Sequence, residues 1–419
     1  MCLPFVRLCL CLCIQDAGSQ VSVDLYEMED LGAGGSGAAG GLMHPFTPRG
    51  KMLWRGDEGV DAALELLDAA EEAAGPGSET IAWRSGLIRP AKRIKHALDF
   101  AKFCSGESAK MWGNARTVTH EEATRLVPGL SLEALQADMA EKRKDGKGAT
   151  TMPPGAVALH IPQGVVLHPK KYLRALWKAC VSKAKAASHR GSSANIVRLK
   201  VDSLAALSAC QAAEGCGQYD AIIVAAGAAA GAIQELKGKL PLQLTQGYTV
   251  DLAHREGSPP FPPGSPSLLG HVYMSVQENG TNAVIGATRR YGLTPEDALQ
   301  EIGREVEVQG CPEAHAACEE LLCEAHSTWP EFKSWQVEGV RSGVRALPPR
   351  TAAGSIPLAG RVLPADGNSP ACWVLAGLGA RGLVYHALVA RWLAEAVRSD
   401  NPSALPPEVT AWQHESTST

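Results

Sequence analysis

Residues 373–398 read WVLAGLGARGLVYHALVARWLAEAVR, and this stretch decides the fold. Trp373-Val-Leu-Ala376 is a short apolar run ending on glycine, the mark of a buried strand. Gly377-Leu-Gly-Ala-Arg-Gly382 follows with the GxGxxG spacing, and Leu383 to Arg398 has the composition of a helix. A glycine-rich turn that opens a helix offers free backbone N–H groups and the positive end of the helix dipole to a negative group nearby. In a chain of 419 residues only 37 follow Gly382, and they hold no second strand, so this unit is not the adenine-ribose half of a dinucleotide fold. The plainer alternative is a tight strand-to-helix packing turn.

A second strand–glycine unit stands at the other end of the chain. Val21 to Glu27 (VSVDLYE) reads as a short buried strand ending on an acid, followed by the loop Gly32 to Gly41 (GAGGSGAAGG). The loop also contains GxGxxG, at Gly32, Gly34 and Gly37, but it begins five residues past its strand and opens no helix, so it fails as a phosphate fingerprint. Glu27 has the position from which a dinucleotide fold accepts hydrogen bonds from an adenosine ribose, although a lone acid after a strand is more often a surface residue. Val60 to Ala74 is helical by its apolar spacing of three and four, and Gly75-Pro-Gly-Ser78 stops it. Residues 81–164 are mixed and turn-rich, with solvated basic clusters at Lys92–Lys95 and Lys142–Lys147.

Further on, His168 to Lys185 is a helix, Ile196 to Val201 a strand, and Tyr219 to Gly227 a buried strand running into glycine. Residues 241–340 break into strand-like pieces (Gly270 to Val276, Ala283 to Thr288) with helices at Pro295 to Glu307 and Pro312 to His326. The tail from Ser399 is irregular. The pattern predicts an α/β protein: a discontinuous α/β domain at the two ends carrying an inserted α+β domain.

Composition narrows the function classes. With 45% hydrophobic and 20% charged residues the chain is globular, and 40 Lys+Arg against 44 Asp+Glu leave no global basic excess to draw it to nucleic acid or anionic lipid. No apolar run reaches the roughly 18 residues of a membrane span. The start, MCLPFVRLCLCLCI, matches a signal peptide poorly, and the expected location is intracellular, cytoplasmic or organellar. Twelve cysteines without a CxxC pair do not form a disulfide framework. Cys311, His315, Cys318, Cys323 and His326 suggest zinc, but Cys311 to His326 would span about 22 Å along a helix, too far for ligands about 2.3 Å from one ion. No metal site is expected. GxSxG, HExxH and Walker motifs are absent, so hydrolase and nucleotide-triphosphatase chemistry lose their usual support.

Taken together, Val21–Glu27, Gly32–Pro45, Gly164–Leu173, Asp220–Gly227, Ile285–Arg289, Gly343-Val-Arg345 and Val374–Ala387 resemble the glycine/D-amino-acid oxidase (DAO) superfamily of FAD-dependent oxidoreductases. GVR followed by LGxRGL looks closest, within it, to the oxidase half of the bifunctional tRNA 5-methylaminomethyl-2-thiouridine biosynthesis enzyme. The resemblance implies a discontinuous, Rossmann-like FAD-binding domain with an inserted α+β substrate domain on a mixed or antiparallel sheet. Its boundaries would be 18–80, 164–240 and 341–400 for FAD, 81–163 and 241–340 for substrate, with 1–17 atypical and 401–419 an irregular tail.

By position, Glu27 would hold the adenosine ribose and Ser36 with Gly37 would lie by the pyrophosphate. The segment through His44 would pass near the flavin, and Ala226 and Gly227 would lie against the cofactor. Gly379, Gly382, Leu383 and Val384 would face the pyrimidine end of the flavin. Arg381 would grip a substrate carboxylate, with Arg345 and Tyr273 in the same pocket; for Arg345 the alternative is a structural salt bridge. The implied chemistry is oxidation of a C–N bond in an amino acid or secondary amine, with hydride passed to flavin, imine hydrolysis and reoxidation by oxygen. The partner is a small carboxylated amine, with a tRNA-borne amine as the open alternative.

The chain departs from the family at its start. Counting back from Gly18 puts Arg7, Pro4 and Cys2 where the family has the three glycines of its diphosphate loop, and leaves no residues for the first strand. The expectation is a domain without that strand and loop, and the competing function is a degenerate family member that does not bind FAD.

Overall fold

A computed structural model describes residues 21–106, 114–144, 152–153, 155–188, 191–213, 219–304, 306–307, 310–365 and 369–415. Residues 1–17, for which an atypical start is expected, lie outside the described residues. The strands that position the site are β1 (Ser22–Glu27), β2 (Leu42–Met43), β3 (Leu87–Pro90), β4 (Ala158–Ile161), β5 (Ser193–Arg198), β6 (Ala221–Val224), β7 (Gln243–Ala253), β8 (Tyr273–Gln277), β9 (Asn282–Gly286), β10 (Gln336–Leu347), β11 (Leu358–Leu363) and β12 (Ala371–Ala376). The main helices are α1 (Gly56–Ala74), α2 (Pro169–Ala186), α3 (Pro312–Thr328) and α4 (Gly382–Arg398).

Most parallel pairing lies in one layer. β1 runs parallel to β5, with Ser22 opposite Ser193 and Glu27 opposite Arg198. β6 runs parallel to β12, which pairs on its other edge antiparallel with β11. All six residues of β12 are buried, which is why its sequence is uninterruptedly apolar rather than alternating. Among the described residues no strand joins β1 to β6. A cavity of about 810 Å³ lies between them, lined by Val21–Tyr26, Ala221–Val224 and Trp373.

Against this layer, α1 packs on both α2 and α4. In α1 the buried residues Val60, Ala63, Leu66, Leu67 and Ala70 recur at three and four, so one apolar stripe faces inward. α4 buries eleven of its seventeen residues, and His386 Nε2 meets the Tyr172 hydroxyl of α2 at 2.9 Å inside that packing.

The second layer is a large mixed sheet. From one edge it runs Arg290–Leu293, β7, β9, β8, Ser267–Leu268, β3, β4 and Arg116–Val118, with β10 also paired to β7. Its ladders are antiparallel except where Ser267–Leu268 pairs parallel with β3. The β7–β10 ladder is the longest, from Gln243 opposite Leu347 to Ala253 opposite Gln336. α3 packs on β7 and β9. The fold is α/β with mixed sheets.

Three stretches fold otherwise than their sequence suggests, one of them the tail, where Pro407–Thr410 and Trp412–Glu415 are short helices instead of irregular chain. Residues 81–164, which read as turn-rich, contain helices at Ile94–Cys104, His120–Leu126 and Glu133–Lys144. Ile94, Ala97, Phe100 and Phe103 are buried at a spacing of three, but the cluster Lys92–Lys95 masks the start of that stripe. The helix expected over Pro295–Glu307 ends at Gln300. Its start is fixed by reciprocal bonds between Thr294 and Asp297, while nothing comparable holds its far end.

Candidate active site

The strand–turn–helix unit of residues 373–398 ends at a cavity of about 250 Å³ between the two layers. Gly377 and Gly379 have φ of +71° and +54°, a left-handed turn that L side chains adopt at a cost, and this turn aims the start of α4 into the cavity. No side chain caps the first N–H groups of α4, and a Cβ at Gly382 would meet nothing within 4 Å. Gly379, Arg381, Gly382, Leu383 and Val384 form this wall.

The glycine-rich loop forms the opposite wall. Between Asp30 and Gly40 the chain folds as successive turns, with the Gly37 N–H donating to the Gly34 carbonyl at 3.0 Å. Close approach explains its composition: a Cβ at Gly40 would lie 2.1 Å from the Tyr273 ring. One at Gly35 would lie 2.6 Å from the Val344 carbonyl of β10. Ser36 and His44 are buried in this wall. His44 is held neutral, its pKa driven well below the ordinary value by burial and then by Arg381 and Arg89. Its Nδ1 accepts the Phe46 N–H at 3.2 Å, which leaves the ring proton on Nε2.

Tyr273, the first residue of β8, has its hydroxyl pushed up in pKa by burial and bonded by the backbone of Gly40. Arg345 of β10 donates to the Thr288 carbonyl at 3.0 Å, and burial lowers its pKa. Arg381, at the mouth of α4, is lowered in the same direction by burial. No acidic side chain lines the cavity among the described residues, so nothing in its wall neutralises these guanidinium groups.

The structure thus brings together Ser36, His44, Gly227, Tyr273, Arg345, Gly379, Arg381, Gly382, Leu383 and Val384 around one space. Ala226 instead lines the cavity between β1 and β6. Gly37 is buried behind the wall, its carbonyl taking a bond from Arg341, whose guanidinium also pairs with Asp251 through two bonds. Glu27 is buried at the end of β1, where its Oε1 accepts the Met28 N–H at 3.1 Å.

Two functional candidates escaped sequence reading. Arg341 shares a strand face with Arg345 through the two-residue period of β10, a signal visible only once that strand is recognised. Arg89, in the apolar run Leu87-Ile-Arg-Pro90, lines the cavity; a lone arginine in a buried strand was its one mark.

Comparison with known proteins follows this geometry. The family model described as FAD dependent oxidoreductase (DAO) matches residues 8–396. No curated protein matches the chain. Among solved structures, glycine oxidase from Geobacillus kaustophilus superposes with a TM-score of 0.68 at 18% identity, covering 97% of this chain and 95% of that one. Iminodiacetate oxidase from Chelativorans sp. BNC1 gives 0.63 at 19% identity over 96% and 95%. L-proline dehydrogenase from P. horikoshii gives 0.65 at 15% over 99% and 96%. At these identities the likeness is one of fold.

Proposed function

The chain belongs to the DAO family of FAD-dependent oxidoreductases, and from that premise we propose that it oxidises the C–N bond of a small carboxylated amine in the cavity at the start of α4. The observation that carries this reading is the pairing, around one space, of an uncapped helix N-terminus with Arg345, Arg381 and Tyr273, unopposed by any acid in the wall.

The residues present fit the flavin end of FAD. Gly40 and Gly41 admit no side chain, since a Cβ would strike Tyr273 or the Leu167 carbonyl, so the backbone itself forms that wall. The N–H groups of Gly382, Leu383 and Val384 are oriented for an acceptor that gathers negative charge. Glu27 would take the ribose, Ser36 and Gly37 the pyrophosphate, and Ala226 and Gly227 would lie against the cofactor. When bound, FAD supplies the two-electron acceptor.

The chain's own part is orientation. Arg345 and Arg381 present planar forks of donors that suit a carboxylate, fixing the α-carbon beside the helix start. Tyr273 stays protonated and adds a donor, while neutral His44 adds no further positive charge to the pocket. The substrate loses a hydride from carbon and a proton from nitrogen, and water hydrolyses the resulting imine to a carbonyl compound and the smaller amine. Oxygen is the proposed final acceptor.

The likeness of GVR and LGxRGL to the tRNA-modifying oxidase extends the reading to an amine carried on a tRNA uridine. Turnover of free N-substituted glycines without tRNA excludes a tRNA-only enzyme. A second reading is favoured by the cavity between β1 and β6, which no strand among the described residues bridges: a folded chain that does not hold FAD. Purified protein decides between them. A bound flavin spectrum with oxidation of N-substituted glycines is the expected result, and a colourless, well-folded protein that stays colourless with added FAD overturns it.

A further inference from the structure

The cavity holds more positive charge than one carboxylate answers. Arg89 reaches it from β3, Arg345 from β10 and Arg381 from the start of α4, while Arg289 lines it from an exposed position. Three separate elements are therefore built so that guanidinium groups meet at one place. None of the three pairs with a carboxylate among the described residues, although other arginines and lysines do, as Arg341 does with Asp251 and Lys92 with Glu324. Arg345 satisfies part of its fork on the Thr288 carbonyl, whereas among the described residues Arg89 and Arg381 have no side-chain hydrogen-bond partner.

The electrostatic surroundings agree. Arg89 is lowered to about 10 by burial and by Arg381. After burial, the groups acting on Arg345 are Tyr273, Arg289 and Tyr291, and the one acting on Arg381 is Tyr385. No Asp or Glu acts appreciably on any of the three. Arg89 and Arg381 both bear on the His44 ring, so the two guanidinium groups flank one region rather than opposite ends of the protein. Buried charges left unpaired are costly, and such sites are completed by a ligand of opposite sign.

We propose that the substrate is a dicarboxylate, a dianion once its amine has lost its proton: a secondary amine flanked by two carboxylates, one held by Arg345 and Arg381 beside the reacting carbon, the other by Arg89. This names the substrate class of the reaction proposed above and rests on that reading. With one carboxylate on Arg345 and Arg381, the Arg89 fork is left for a second one, and a neutral second arm would have to bury against it. The donors also set a limit, because a carboxylate accepts a guanidinium fork best in a planar, bidentate geometry that an alcohol cannot offer.

The test compares iminodiacetate with N-(2-hydroxyethyl)glycine, a mono-acid of similar length, on the flavin-loaded protein. Iminodiacetate should be favoured in kcat/KM by about 10- to 100-fold, the range of one charge-assisted bidentate pair. In Arg89→Met that ratio should fall to near unity, and in Arg89→Lys, which keeps the charge without the fork, to an intermediate value. Equal turnover of both amines by the unaltered protein, or a ratio that survives Arg89→Met, overturns the dianion assignment and leaves the proposed function standing. Loss of flavin from Arg89→Met with no change in the ratio assigns Arg89 to the cofactor instead and also overturns it. A binding measurement separates the two readings. Malonate, but not acetate at equal ionic strength, should raise the melting temperature of the chain, with or without flavin, and Arg89→Met should abolish the rise. A colourless chain that responds to malonate refutes the oxidase reading alone, whereas no response refutes the dianion.

Discussion

Arg381 and Arg345 are the side chains on which the proposed reaction is most sensitive. Replacing either by Met removes charge-assisted hydrogen bonds worth about 1.5–3 kcal/mol, so kcat/KM for an N-substituted glycine should drop roughly 10- to 100-fold. Most of the loss should appear in KM, as steady-state kinetics on the purified variants will read. Unchanged KM in both would place the carboxylate elsewhere. His386 makes a separate, pH-dependent prediction about stability. Burial lowers its pKa to about 4, below the ordinary value of 6.5, so the neutral ring is favoured in the folded state. The unfolded chain therefore binds more protons in this interval, and stability is lost as pH falls from about 6.5 toward 4, by at most ~1.4 kcal/mol per pH unit from this one group. Urea unfolding between pH 7 and 4.5 should show a shallower decline in His386→Leu than in the unaltered protein, whatever the variant's absolute stability. Arg381 was legible because a motif in order surrounds it; Arg89 was not, because nothing local distinguishes a strand arginine facing a cavity from one paired with an acid across the sheet.

Elements add what single residues cannot: the turn at Gly377–Gly382 turns a helix end into a site. The space beyond Gly382 is open, so Gly382→Ala should fold normally and cost little. Gly382→Asp places a carboxylate at the positive end of α4, where it stabilises the free helix by about 0.3–1 kcal/mol and competes with any acceptor there. Flavin affinity, measured by quenching of FAD fluorescence on titration with protein, should fall in the Asp variant and hold in the Ala variant. Equal affinities would mean the helix end does not face the cofactor. This unit was readable because strand, turn and helix are contiguous. The β7–β10 ladder was not recognised as one element, although it carries Arg345 and the Arg341–Asp251 pair that steadies the Gly37 carbonyl, because strands about ninety residues apart leave no local trace of their pairing. The helices within 81–164 were lost for another reason: basic residues at the start of Ile94–Cys104 obscured an apolar stripe of only four residues.

At the scale of the whole molecule, the pairing of the described strands governs where the fold yields first. β1 pairs with β5 alone among the described strands, while β7 is flanked by β9, β10 and Arg290–Leu293 and packed by α3. A two-stranded ladder contributes little stability of its own. Amides of Ser22–Glu27 and Ser193–Arg198 should therefore exchange through local opening well below the global unfolding free energy, and those of β7 and β10 only near it. Ligand binding supplies the discriminating half of the experiment. FAD at 100 times its Kd should add about 2.7 kcal/mol to global stability, a rise of about 3 °C in Tm for a chain of this size. If Glu27 holds the adenosine ribose, the cofactor ties β1 to the start of α4, and protection of β1 should rise together with that of Gly382–Val384. Protection gained only at α4 would confine binding to the flavin end and remove Glu27 from the site, while protection gained at neither, with Tm unmoved, would favour the chain that folds without FAD.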